Sequence, residues 1–437
     1  MSASTWPSSS KGTTGRRWGA EMRVLFLTVY FPPEVGAPQA RTYDTAKLLV
    51  EWGHDVTVVT AFPNHPTGVI APGYRGKLFM REKMDGVDVL RTWLYAAPNR
   101  GFWRWAAKHL SFSASSLLAA PLAGKFDLVL VGSASLFLGL TAYAVSRHQR
   151  IPWVLTVSDL WPATAVAQGR LSHPGLIKLA ASLAAFIYTR ADMLVGVTQG
   201  ICDELVRLGV PEEKVVHIPN GADTVMFHPD ADGEAARKAW GLEGKFVVMY
   251  AGTMGPTQGL DVVLEAAKLL RDDRDVQFVL VGEGADKQNL TDKAHREGID
   301  NVSLFDHQPR HKMPSILNAA DVIVVAQRKG RFFHGVVPSK TAEVMACGRP
   351  AIMAIAGEAA ELLERAGAGL VVEPECPQAL ADAVRQMKEQ PEIAAEMGRK
   401  GRAFAVEHLE RAKLAKRLEE TLLKLVESRR PARAWTH

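Results

Sequence analysis

Cysteine is nearly missing: Cys202, Cys347 and Cys376 are the three in 437 residues. They show no metal-ligand or redox spacing, which speaks against a disulfide scaffold and for a reducing compartment. The first twenty residues are basic and rich in Ser, Thr and Gly but hold no apolar core. No secretory signal is read there, and residues 1–21 are expected to form a disordered leader. Zinc-finger spacing, a helix-turn-helix signal and an aromatic RNA-binding motif are all lacking, so no nucleic-acid partner is expected. No metal motif is read, and no metal is expected. The one long apolar run, Leu128–Val145, reads as a buried strand at Leu128–Val131, a turn at Gly132-Ser133 and then a helix, rather than a membrane span.

What is present suits a globular enzyme. The chain is too long for one compact core and fits two α/β domains. Its charge is uneven: residues 1–220 hold 22 Lys and Arg against 15 Asp and Glu, and the rest hold 30 against 32. A basic first half suits an anionic surface. Short, wholly apolar runs alternate with helical stretches. They predict strands at Arg23–Val29, Asp55–Thr60, Val87–Arg91, Leu128–Val131, Trp153–Val157 and Met193–Val197. A second set is predicted at Phe246–Ala251, Val276–Val281, Val302–Phe305, Val322–Val325, Ala351–Ala354 and Gly369–Val372. Such runs suit parallel strands covered on both faces, and the alternation twice over implies two doubly wound domains. The boundary is read at Ile218-Pro219-Asn220-Gly221-Ala222-Asp223. A long helical tail is expected at Glu392–Glu427.

Ligands in such sheets bind where strands end, and five loops there carry candidate chemistry. In Tyr30–Arg41, Gly36 permits close backbone approach and the helix start near Pro38 offers free N–H groups, or the segment is an ordinary turn. Asp159, after Thr156-Val157-Ser158, could orient a hydroxyl or act as a base, or cap a helix. Gly252-Thr253-Met254-Gly255 and Gly282-Glu283-Gly284 form two glycine-rich strand–helix loops, a pattern that suits a nucleotide. The richest segment runs from Arg328 to Pro350. Ser339 is read as a helix N-cap, and Lys340 is a cation where a helix dipole disfavours one, a cost that a bound diphosphate would relieve. Glu343 lies one turn on and could accept two ribose hydroxyls, or complete a capping box.

Together these residues resemble the retaining, GT-B-fold glycosyltransferases of family 4, from about Met22 to about Glu427. The resemblance rests on Pro32-Pro33-Glu34-x-Gly36-Ala37, Gly53-His54-x-Val56-Thr57-Val58, Ile218–Asp223, Val281-Gly282-x-Gly284, Ala319-Ala320-Asp321-Val322 and Glu343-x-Met345-Ala346-x-Gly348-x-Pro350. Pro63–Gly68, Asp159-Leu160-Trp161-Pro162 and Pro338-Ser339-Lys340 look like the bacterial N-acetyl-L-fucosamine transferase branch of O-antigen assembly.

The resemblance implies two Rossmann-like domains facing across a cleft. Residues 22–217 would form the acceptor-side domain and 218–405 the nucleotide-sugar domain, with 406–437 a helix crossing back plus a tail. It implies donor contacts from Gly252, Thr253, Gly282, Gly284, His334, Ser339, Lys340 and Glu343. Gly36, Arg41, His65 and Asp159 would face the acceptor, with Asp159, Lys340 and Arg328 serving the chemistry. No cofactor is implied beyond a UDP-linked nucleotide sugar as co-substrate. The sugar would be an N-acetylated amino- or deoxy-sugar, transferred with retention to a polyprenyl-diphosphate-linked saccharide in cell-surface polysaccharide synthesis.

Three positions depart from the family pattern. Gly335 stands where many members carry Glu, Thr253 where many carry Arg, and Gln258 where many carry Lys. Lys340, Arg328 and Arg331 are the cations left to stabilise a leaving diphosphate. The basic, aromatic stretch Asn99–Leu110 reads as a peripheral contact with the inner face of the plasma membrane in a cytoplasmic protein, or as a helix packing its aromatics inward. A nucleotide-sugar epimerase and a catalytically silent nucleotide-binding homologue remain as alternatives.

Overall fold

The structure, a computed structural model, describes residues 21–34, 36–65, 67–97, 101–132, 135–167, 169–330 and 334–429. Residues 1–20 of the expected leader, Asn99, Arg100 and Arg331 lie outside the described residues. Two sheets organise the chain. The first contains β1 (Arg23–Leu27), β2 (Asp55–Ala61), β3 (Phe79–Met84), β4 (Val87–Thr92), β5 (Leu128–Gly132), β6 (Trp153–Val157), β7 (Met193–Gly196) and β8 (Val215–His217). Their order is β3-β4-β2-β1-β5-β6-β7-β8. The second contains β9 (Phe246–Ala251), β10 (Val276–Val281), β11 (Val302–Phe305), β12 (Val322–Ala326), β13 (Ala351–Ala354) and β14 (Gly369–Val371), in the order β11-β10-β9-β12-β13-β14. All pairings are parallel except β3 with β4. The chain thus has the α/β, doubly wound class expected. In each sheet the strand order reverses once, between β1 and β5 and between β9 and β12, which opens a crevice at the strand ends.

Both faces of each sheet are covered, which explains the uniformly apolar strands. Leu25, Leu27, Val129 and Val131 join one core cluster, while Val24, Phe26, Leu128 and Leu130 join another on the opposite face. In the second sheet Val247 and Met249 alternate with Val248 and Tyr250 in the same way. Every expected strand forms, with ends within two residues of the expected bounds. Residues 128–145 divide into β5 and part of the helix Leu138–Gln149, as read. Among the described residues no helix is long and apolar enough to cross a membrane.

Two strands were not expected. β3 is a polar edge strand, half-buried on alternate residues, and joins β4 through Asp85-Gly86, both at positive φ (45° and 83°). An Asp-Gly pair in that conformation is a two-residue hairpin turn, a signal that a search for buried parallel strands passes over. β8 is only three half-buried residues.

The tail also differs from expectation. It is two helices, Pro391–His408 and Arg411–Arg429, broken at Leu409-Glu410. The break lets the chain pair with the linker: Ala222 N donates to Leu409 O and Arg411 N donates to Ala222 O, both at 2.9 Å. A side chain at Gly221 would meet Leu409 O at 2.4 Å, so the Asn-Gly of the linker is demanded by this crossing. The final helix then lays Leu414, Leu418, Leu422 and Val426, one stripe at four-residue spacing, into the core of the first sheet. Polar residues fix its position. Met22 N donates to His54 Nδ1 at 3.1 Å, so Nε2 carries the proton that it donates to buried Glu419 Oε1 at 2.8 Å.

Candidate active site

The crevice of the second sheet is shaped first by glycines. β9 is followed directly by Gly252, at φ 144°. A Cβ on Gly282 would fall 1.9 Å from Gly252 O, and one on Gly284 would fall 2.0 Å from Met254 O. The two glycine-rich loops are therefore pressed backbone to backbone, with Met254 N donating to Glu283 O at 2.8 Å. Thr253 takes part through its carbonyl, which accepts the Tyr250 hydroxyl at 2.6 Å.

Lys340 opens the short helix Lys340–Ala346 and reaches over this platform. Its Nζ lies 3.7 Å from the centroid of the Tyr250 ring, and a Cβ on Gly252 would meet it at 2.7 Å. Among the described residues the ammonium makes no hydrogen bond or ion pair. Burial lowers its pKa to about 7, with Glu343 pulling the other way. An unpaired, easily neutralised cation at a strand-end crevice is a group waiting for an anion.

Ser339 precedes the helix but its hydroxyl caps nothing. It sits at φ −58°, ψ −28°, whereas a capping side chain needs an extended residue to fold back onto the first turn. Glu343 forms no capping box either. Its Oε1 faces Arg310 Nη1 at 4.0 Å. Its carboxyl is raised above the usual range, mainly by burial, while Arg310, Arg411 and Lys340 pull it down. Arg310 also contacts Asp44 at 3.5 Å, and Asp44 accepts in turn from Arg411, whose other amine donates to Gly221 O at 2.7 Å. A line of charge thus runs from Glu343 through Arg310 to Asp44, on the first-half helix Ala37–Glu51, and on to the crossing chains.

Arg328 is not part of this group. Its guanidinium pairs with Glu375 at 3.1 Å and Asp261 at 3.4 Å, and Nε donates to Pro256 O at 2.7 Å. Gln258 is turned to a local task, since its Oε1 accepts from Gly255 N at 3.1 Å. His334 has an exposed side chain, and its backbone lies so close to Gly357 that a Cβ there would meet His334 O at 2.3 Å.

Gly335 packs closely against the first half. A Cβ on Gly335 would fall 3.3 Å from Gly200 Cα, one on Gly200 would fall 2.7 Å from Gly335 Cα, and Thr198 Oγ1 donates to Gly335 O at 2.7 Å. Beside this contact the Glu358 carboxylate accepts from Gln199 N at 2.7 Å and Gly200 N at 2.8 Å, at the start of the helix Gln199–Arg207. The two halves touch backbone to backbone here.

On the first-half side, Arg41 bridges Asn220 Oδ1 and Ser158 Oγ, both at 2.7 Å. Burial and Arg411 lower its pKa to about 10, against the pull of Asp159. Asp159 is exposed, yet the surrounding protein still raises its carboxyl, with Arg41 and Arg170 opposing. Gly36 is packed against Gln39, whose Oε1 would lie 2.5 Å from an added Cβ. His65 belongs to a separate group with Tyr30, its ring edge-on at 5.3 Å, and with Glu34. Tyr250, Arg310, Asp44 and Arg411 were not singled out from sequence. A tyrosine within an apolar strand was the one available hint.

Two family models match in order along the chain. The glycosyl transferase 4-like domain matches residues 36–221, and glycosyl transferases group 1 matches residues 232–404. The chain belongs to the glycosyltransferases that pair these two domains. It is 28% identical over 377 residues to WcaI of Escherichia coli K12, a glycosyl transferase named for colanic acid biosynthesis, covering 84% of this chain and 92% of that one. Its fold is that of Anabaena HepE solved with UDP-glucose, with a TM-score of 0.71 at 19% identity over 92% of this chain and all of that one. The sucrose-phosphate synthase of Thermosynechococcus elongatus superposes with a TM-score of 0.74 at 17% identity, covering 93% and 100% of the two chains. The architecture of this glycosyltransferase is therefore GT-B.

Proposed function

We propose that the glycosyltransferase takes a sugar from a UDP-linked donor seated on the second sheet. It passes the sugar, with retention, to a polyprenyl-diphosphate-linked saccharide. The observation that carries this reading is the Lys340 ammonium, unpaired over Tyr250 beside the Gly252 loop, with the Glu343 carboxylate on the same short helix. A diphosphate would bring the charge that Lys340 lacks, and Glu343 would exchange Arg310 for the two ribose hydroxyls. Retention needs no strong base from the protein: the departing diphosphate oxygen takes the acceptor's proton on the same face, and Lys340 stabilises the charge that develops. HepE, the structural neighbour solved with UDP-glucose, favours a uridine donor.

An N-acetylated amino- or deoxy-sugar and a role in surface polysaccharide are kept from the motif resemblance, and the kinship with WcaI supports the second. A lipid-linked acceptor agrees with the helix Phe102–Ala123, on which Trp103 and Leu118 are each 72% exposed while Trp105 stacks inward on Trp161 at 4.6 Å.

The test is a thermal-shift screen of the whole chain against UDP, GDP and ADP, followed by a transfer assay with the nucleotide that responds. At 100 times its dissociation constant a ligand adds about 2.7 kcal/mol of stability. A selective response to UDP supports the reading. A response without transfer favours the silent nucleotide-binding homologue, the reading that Thr253, Gln258 and Gly335 would then explain, and no response from folded protein overturns the donor site itself.

A further inference from the structure

Arg310 belongs to the second half by its backbone and meets the first half by its side chain. It opens the single turn Arg310–Lys312 after β11, where Lys312 N donates to Pro309 O at 2.9 Å. Its guanidinium carbon lies 5.7 Å from the centroid of the Phe227 ring, in the core of the second half, which is within reach of a cation–aromatic contact. That contact holds the group and leaves its edge free to turn.

The edge faces two acids, one from each half. Nη1 lies 4.0 Å from Glu343 Oε1, and Nη2 lies 3.5 Å from Asp44 Oδ2, on the first-half helix Ala37–Glu51. A committed pair would set both nitrogens on one carboxylate at about 2.7–2.9 Å. Arg310 is instead divided between two, at longer range from each. The three groups act on one another: burial raises the Glu343 carboxyl, Arg310 opposes that more than any other charge, and Asp44 reinforces it.

Either acid can release Arg310 without being left bare. Asp44 keeps Arg411, which donates to it and, through its other amine, to Gly221 O in the linker at 2.7 Å. Glu343 keeps the pull of Lys340 on the same short helix and would gain two ribose hydroxyls from a seated donor. An uncompensated buried charge is the usual bar to such an exchange, and neither arrangement creates one.

A second meeting of the halves can report on the first. Gln199 and Gly200 begin the helix Gln199–Arg207, and the first N–H groups of a helix have no acceptor within it. These two donate across to the Glu358 carboxylate of the second half, at 2.7 and 2.8 Å. Their protection from solvent therefore measures how firmly the halves meet.

We propose that Arg310 is a positioning residue that passes from Glu343 to Asp44 when the donor's ribose engages Glu343, and so draws the two halves together. This rests on the reading of Glu343 as the ribose contact. It adds that the ribose hydroxyls are read a second time, as the signal for closure.

The test is amide hydrogen exchange on the full chain, free and saturated with UDP or with 2′,3′-dideoxy-UDP, with binding of each checked by calorimetry. UDP should slow the Gln199 and Gly200 amides at least about fivefold, the lower end of ordinary coupling between two sites, and the dideoxy analogue should leave them nearly unchanged. A merely structural Arg310 would leave the two ligands alike. The Asp44→Asn variant should bind UDP and lose the slowing, and Arg310→Gln serves if the first variant fails to fold. Equal slowing by the two ligands, full slowing in the variant, or no slowing in wild type with UDP bound overturns the proposal and leaves the donor site standing. If UDP does not bind folded wild type, the donor reading falls and this inference with it.

Discussion

Lys340 and Tyr250 form the tightest cation–aromatic pair among the described residues, with the ammonium 3.7 Å from the ring centroid. The ring attracts the cation, but the surrounding protein removes the water that would stabilise it, and the second effect prevails: the pKa falls from 10.5 to about 7. Free protein therefore loses this proton as pH rises through 7, and a bound diphosphate restores it.

UDP binding should consequently take up a proton. Between pH 7.5 and 9, where the nucleotide's own phosphate is ionised, the dissociation constant should rise by up to about tenfold per pH unit. Calorimetry in two buffers of different ionisation enthalpy should show uptake approaching one proton at pH 9 and little at pH 6.5. The Lys340→Gln variant should bind weakly at every pH and show no linked uptake. A flat pH profile in the wild type would show that Lys340 does not meet the diphosphate.

Glu343 should act on the ribose alone. A hydrogen bond to a charged group contributes about 1.5–3 kcal/mol, so Glu343→Ala should weaken UDP binding by roughly 10- to 100-fold. The 2′,3′-dideoxy analogue of UDP should bind wild type and variant alike, because it lacks the hydroxyls that the carboxylate would hold. A variant that loses both ligands equally would mean that the carboxylate serves to position Arg310, 4.0 Å away, instead of the nucleotide.

The local signals behind these predictions were largely legible in the sequence. Buried parallel strands announce themselves by composition, as Val276–Val281 does, and the glycines at 252, 282 and 284 stand where strands end. What could not be read was contact between distant segments. Arg310 meets Asp44 across 266 positions, and Arg411 meets it across 367. Such pairs carry no spacing signal. Arg328 shows the converse: a cation in the right segment is claimed by Glu375 and Asp261, acids that nothing in the local pattern connects to it. Gly335 departs from the family pattern, and nothing in the sequence signals that its backbone is pressed against Gly200 of the other half.

That contact yields a prediction about motion. Gly200→Ala would drive a methyl to 2.7 Å from Gly335 Cα, and backbone cannot yield as a flexible side chain does. The halves should be held apart at this point while each core stays intact. Transfer, measured as kcat/KM, should drop at least about tenfold, because catalysis depends on closing the cleft. The melting temperature should move by less than about 3 °C, the shift of roughly 1 kcal/mol in domains of this size. A large loss of melting temperature would mean that the contact supports the fold instead.

The helix Phe102–Ala123 makes a last prediction possible. Its inward face holds Trp105, Lys108, His109 and Phe112, while Trp103, Leu110, Leu117, Leu118 and Leu122 are exposed. Exposed Arg104 lies within the helix and exposed Lys125 just beyond its end, so the outward side mixes apolar groups with positive charge. Large apolar side chains left in water at the surface of the basic half are costly unless something covers them. A membrane carrying anionic lipid would cover them and pair with the cations. The double variant Trp103→Ser, Leu118→Ser should bind vesicles of anionic phospholipid at least about tenfold more weakly than wild type in a sedimentation assay. Its response to UDP should be unchanged, because the helix lies in the first half. Raising salt from 0.05 to 0.5 M should weaken wild-type binding, since charges at a surface are screened beyond about 4 Å at that strength. If both proteins sediment equally, with or without salt, the exposed face meets something other than a lipid surface.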